Sequence, residues 1–125
     1  MANILLIDDM PAVRRAIAAV LKGAGHRVTE AVNGREGLDT PGPFDLVITD
    51  ILMPEMDGTT VVMEIAGRPD RPRLLAISGG SGALSEVDAL RLASLKADAT
   101  LSKPFANGEL LAVVDRLLGS QAPAR

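Results

Sequence analysis

A chain of 125 residues that is 47% hydrophobic carries enough apolar material for one domain's core and leaves no room for a second folded domain. Phe44 and Phe105 are the only aromatic residues, and the net charge of −3 comes with no dense basic cluster, which argues against base-stacking modules and against a partner that follows a phosphate backbone. With no cysteine and a single histidine, His26, there is no disulfide framework, no thiolate site and no histidine pair for a metal.

The first predicted strand, Asn3 to Ile7, ends in Asp8-Asp9. Pro11 then opens a helix, where its missing N–H is not needed, with apolar residues at Val13, Ala16, Ile17, Val20 and Leu21 on one face; Gly23 and Gly25 end it. Arg27 to Val32 alternates, with Thr29 and Glu30 among its apolar residues, and reads as an edge strand; His26 just before it reads as a solvated loop residue. After Asn33-Gly34 a helix from Arg35 to Asp39 is kept short by Pro41-Gly42-Pro43. Leu46 to Asp50 is an apolar, β-branched run, a strand buried on both faces, and Pro54 helps to stop it.

A helical segment is predicted from Thr59 to about Ala66, a fourth strand from Arg73 to Ile77, and then the glycine-rich loop Ser78-Gly79-Gly80-Ser81-Gly82. A polar-faced helix is expected from Ser85 to Lys96, with Ser85 and Asp88 spaced as a weak capping box. Asp98 to Ser102 is the fifth strand and delivers Lys103-Pro104-Phe105. The last helix, expected to be capped by Asn107, carries Leu110, Val113, Val114, Leu117 and Leu118 on one face and stops at Gly119. Five strands alternating with five helices predict an α/β fold, a flavodoxin-like doubly wound five-stranded parallel sheet of order 2-1-3-4-5, with its ligand site beyond the carboxyl ends of the strands. Neither a signal peptide nor a run long enough to span a bilayer is present, so a soluble, cytoplasmic domain is expected.

On that sheet Asp8, Asp9, Asp50, Ser78 and Lys103 all emerge at one edge. Taken singly, Asp50 is a strand-end acid reaching water, Asp9 an N-cap, Ser78 a turn residue and Lys103 a surface charge. Taken together they form a crevice whose three carboxylates call for a hard divalent cation such as Mg²⁺, and in which Asp50 can attack a phosphoryl group while Lys103 and Ser78 receive its oxygens.

In Asp8-Asp9, in Asp50 followed by Met53-Pro54, in Ser78 and in Lys103-Pro104-Phe105, the chain resembles the receiver domain of two-component response regulators, over Ala2 to Leu118. The resemblance implies a stand-alone receiver at residues 1–118 with a flexible tail at 119–125, a phosphoacceptor switch that assists its own phosphorylation rather than an enzyme. It implies Asp50 as acceptor from a histidine kinase or histidine phosphotransfer protein, Mg²⁺ ligation by Asp9, Asp50 and the Leu52 carbonyl with Asp8 assisting, phosphoryl sensing by Ser78 and Lys103, and a cis peptide before Pro104. The output would be protein–protein contact or relay to a further partner, without direct nucleic-acid binding or membrane insertion.

The sequence departs from that pattern at Thr100, which occupies the place of an aromatic switch residue, so that loop reordering from Ser78 to Leu84 is expected to carry the signal. Leu52 and Gly80 stand where the family orients attacking water and cannot do so, which predicts slow self-dephosphorylation. An Asp-nucleophile hydrolase is disfavoured because Leu52 stands where such enzymes generally need a second acid, and a purely adaptor role because the acids and the lysine are all present.

Overall fold

The computed structural model describes residues 2–51, 58–78 and 97–119, the side chains of Gly58, Thr59 and Ser78 excepted. The elements are β1 (Asn3–Ile7), α1 (Pro11–Gly23), β2 (Arg27–Ala31), α2 (Gly34–Asp39), β3 (Leu46–Asp50), α3 (Gly58–Ala66), β4 (Arg73–Ser78), β5 (Ala99–Ser102) and α4 (Asn107–Gly119). All strand pairs are parallel and the order is β2-β1-β3-β4-β5, as the alternation of elements predicts. The expected five helices are corrected to four among the described residues. The segment Ser85–Lys96, from which the additional helix was expected, lies outside them.

Side-chain alternation along the strands builds two cores. Ile4, Leu6, Leu46, Ile48, Leu75 and Ile77 face α1 and α4, meeting Ile17, Leu21, Leu110 and Val114. The residues between them, Leu5, Ile7, Val47, Leu74 and Ala76, face the other way and pack with Val61, Val62 and Ile65 of α3. β1, β3 and β4 contribute to both cores, and the central strand β3 is buried at all five positions, while edge strand β2 is only partly covered. Each fully buried Leu or Ile contributes about 1.5–3 kcal/mol of hydrophobic stabilisation.

Two helices differ in detail from their predicted form. α1 buries Arg14, Ile17, Ala18 and Leu21 and leaves Ala16 exposed, so its inward face is turned by about one residue from the purely apolar stripe. α4 starts one residue earlier than a cap at Asn107 requires: Ala106 is the cap, its carbonyl accepting from Leu110 N–H at 3.2 Å, while Glu109 Oε1 accepts from Ala106 N–H at 2.9 Å.

The short α2 survives because both ends are satisfied. Asn33 Oδ1 accepts from Glu36 N–H at 2.8 Å, and Thr40 Oγ1 donates to Glu36 O at 2.6 Å. Gly37 lets α2 lie directly on β1, since a Cβ there would overlap Cδ1 of Ile7 and sit 2.7 Å from its Cγ1. At the amino edge of the sheet Arg71 forms a two-pronged pair with Asp98 at 3.2 and 3.0 Å, and Asp98 Oδ2 accepts from Leu74 N–H at 2.8 Å, which fixes where β5 begins and hence where Lys103 emerges. No helix among the described residues is long and apolar enough to cross a membrane.

Candidate functional site

The pleat that sorts the cores also sorts the polar residues. Asp8 lies two residues beyond Leu6, Asp50 two beyond Ile48, and Lys103 two beyond Leu101, and all three apolar residues belong to the core under α1 and α4. Three separate strands therefore aim their exit side chains toward one point.

At that point Asp8, Asp9 and Asp50 each present a carboxylate oxygen within 4.8 Å of the others. Asp8 is 1% exposed and Asp50 5%, while Asp9 is half-buried. Lys103 Nζ donates to Asp50 Oδ2 at 3.1 Å and lies 3.5 Å from Asp8 Oδ2. Burial pulls the Lys103 ammonium down, but the Asp50 and then the Asp8 carboxylate outweigh it and hold the group above the usual lysine value of 10.5. The backbone is pinned on both sides of the cluster. Asp8 Oδ1 accepts from Met10 N–H at 2.9 Å, Thr49 Oγ1 donates to Asp50 O at 3.0 Å, and Ile51 N–H donates to Ile77 O at 2.9 Å, carrying the ladder one residue past Asp50.

Among the described residues three acids share one ammonium in this crevice, two of them withdrawn from water, and that excess of negative charge favours a cation. The donors are all oxygen, which suits a hard ion of the Mg²⁺ type and gives a softer metal no nitrogen or sulfur ligand. Chemically the arrangement offers a nucleophilic carboxylate, Asp50, beside a fixed positive charge.

Of the site residues predicted from sequence, the structure brings together Asp8, Asp9, Asp50 and Lys103. Ser78 closes β4 in register with Ser102, its side chain lying outside the described residues together with Leu52, Gly80 and the rest of the 79–84 loop. Thr100 is exposed on β5 opposite Ala76. The peptide before Pro104 is cis, as is that before Pro43. Sequence reasoning passed over Arg14, whose Nη1 donates to the carbonyl of Asp8 at 3.0 Å; the available signal was a charged residue in line, at helical spacing, with Ala18 and Leu21.

Comparison with known proteins points one way. The model of a family described as response regulator receiver domain matches residues 4–115. The sensor kinase CckA of Brucella abortus is 34% identical over 96% of this chain, which spans 13% of that protein, and the response regulator MprA of Mycolicibacterium vanbaalenii is 35% identical over 97% of the chain, which spans 52% of it. The chain thus covers at most about half the length of these curated relatives. Among solved structures, the response regulator TrrA of Thermotoga maritima in complex with Mg(2+)-BeF superposes with a TM-score of 0.81 at 33% identity, covering 94% of this chain and 99% of that one. The signal receiver domain of a signal transduction histidine kinase from Syntrophus aciditrophicus gives 0.89 at 27% identity, covering 100% and 96%.

Proposed function

The chain belongs to the response regulator receiver domain family, and from that premise we propose that Asp50 is the residue that takes up the phosphoryl group. The observation carrying this reading is the convergence of three carboxylate oxygens within 4.8 Å, with the Lys103 ammonium on Asp50. In the transfer, an Asp50 carboxylate oxygen forms a bond to phosphorus, the phosphorus–nitrogen bond of a phosphohistidine breaks, and its electron pair leaves with the imidazole, giving an acyl phosphate and a free histidine.

Asp9 and Asp50, with Asp8 assisting and with the Leu52 carbonyl that the family resemblance implies, would hold Mg²⁺, which when bound would supply charge neutralisation at the phosphoryl oxygens. The Mg(2+)-BeF held by the Thermotoga protein supports that assignment. Asp50 supplies the nucleophile; Lys103 holds it in place and afterwards follows a phosphoryl oxygen, and Ser78 at the end of β4 takes another. Thr100 occupies the switch position with a hydroxyl in place of a ring.

The donor we assign is a sensor histidine kinase or histidine phosphotransfer protein, and the recipient of the signal is a further protein. A cytoplasmic location follows from that donor, because phosphohistidine is made from ATP. We assign the receiver unit to residues 1–118, which ends beside the last residue of α4, Gly119.

The test is to incubate the protein with Mg²⁺ and acetyl phosphate and follow intact mass. One added phosphoryl group is expected in the wild type, none in Asp50→Asn, and little when the metal is chelated. Undiminished labelling of Asp50→Asn, or continuous release of phosphate without a labelled intermediate, refutes the assignment.

A further inference from the structure

Arg14 is 7% exposed on α1, an environment in which a guanidinium is costly unless its N–H groups are matched. Two of its donors are matched in different directions. Nη1 donates to the Asp8 carbonyl at 3.0 Å, and Nε donates to Glu30 Oε1 at 3.0 Å. Glu30 stands on β2 opposite Leu6, on the face covered by α1, and Lys22 from the last turn of α1 approaches its other oxygen at 4.0 Å. The peptide groups at Asp8 are thereby held twice from β2, because Asp8 N–H also donates to Ala31 O at 3.2 Å.

We infer that Arg14 is a positioning residue of the metal site: braced against Glu30, it fixes the carbonyl of Asp8 and with it the turn that carries the Asp8 and Asp9 carboxylates. The inference rests on the Mg²⁺ reading of that cluster. A guanidinium suits the task because its donors sit at fixed angles in one plane, so anchoring Nε on Glu30 sets the direction of Nη1; an ammonium on a flexible stem has no such constraint. Partners that orient the ligands of a metal typically change its affinity by about 10–100-fold when removed.

The experiment measures Mg²⁺ affinity by calorimetry without phosphodonor, and separately the Mg²⁺ concentration giving half-maximal phosphorylation by acetyl phosphate, for the wild type, Arg14→Met and Arg14→Lys, well below each melting temperature. Arg14→Met is expected to weaken Mg²⁺ binding about tenfold and to shift half-saturation in parallel while the rate at saturating metal stays near wild type, since Asp50 and Lys103 are untouched. Arg14→Lys is expected to fall between the two. A role limited to holding the fold lowers the melting temperature and leaves both Mg²⁺ measurements unmoved, so folded variants within twofold of wild type overturn the inference. If Arg14→Met does not fold, Arg14→Lys alone decides. A wild type that binds no Mg²⁺ overturns the metal reading together with the inference, whereas wild-type binding with unaltered variants overturns the inference alone.

Discussion

Replacing Asp9 by Asn should make the metal-free protein more stable and the metal-loaded protein less responsive. The three carboxylates present oxygens within 4.8 Å of one another, and Lys103 reaches Asp50 and Asp8. At 4.8 Å and an effective dielectric constant near 20, two unit negative charges repel by about 3.5 kcal/mol. Asp9 is half-buried, so water reduces that figure, and a negative charge ahead of the amino end of α1 is worth about 0.3–1 kcal/mol in the opposite sense. Repulsion from two neighbours still dominates, and the net gain expected for Asp9→Asn is about 1–2 kcal/mol, a rise in melting temperature of roughly 4 °C per kcal/mol.

Addition of Mg²⁺ should reverse the ranking. At a free concentration ten times its dissociation constant, the ion stabilises the wild type by about 1.4 kcal/mol, and Asp9→Asn, lacking one ligand charge, should lose most of that gain. Urea titrations in EDTA and in Mg²⁺ measure both quantities. A variant less stable than wild type in EDTA, with the same slope against denaturant, would show that the cluster is not under electrostatic strain and would sink the reasoning behind the metal assignment.

Lys103→Met has the opposite sign: it leaves the Asp8 and Asp50 carboxylates without their ammonium and should destabilise the metal-free protein by about 2–4 kcal/mol, partly recovered by Mg²⁺, as urea titration will show. Because the folded protein holds Lys103 above 10.5, its contribution is complete below that pH and is lost as pH rises through the higher folded value; stability of the metal-free wild type should therefore fall along that alkaline limb, and Lys103→Met should lack this component. Gly37→Ala should lose about 1–3 kcal/mol through the collision with Ile7, and Ile7→Val in the same chain should restore part of it, since the methyl it removes is the one overlapped; a strictly additive double-mutant cycle would refute that contact. Self-dephosphorylation of phosphorylated Asp50 should be slow, because Leu52 and Gly80 carry no group to orient water, and a half-life of only seconds would contradict it.

The sheet and most of the site were legible because they rest on a period of two. Once Leu46 to Asp50 is read as the central strand, neighbours and exit residues follow, and Asp50 meets Asp8, Asp9 and Lys103 without any long-range information beyond strand order. What escaped the sequence depends on contacts between elements. Arg14 was passed over because its partners, the Asp8 carbonyl and Glu30, are brought to it by the β1–β2 register. The cap of α4 was misplaced because Asn107 is the better capping residue by type, whereas Glu109 reaching back to Ala106 satisfies the helix one residue earlier. The clasp of Arg71 on Asp98 was invisible for the same reason, joining residues far apart in the chain.

The alternation along β1 and β3 also has a bearing on which lesions this chain tolerates. Gaining or losing one residue within either strand turns its core side chains toward the wrong layer and in the same event turns Asp8 or Asp50 away from Lys103. Fold and chemistry share one reading frame, so an insertion that preserves one without the other must fall outside the strands.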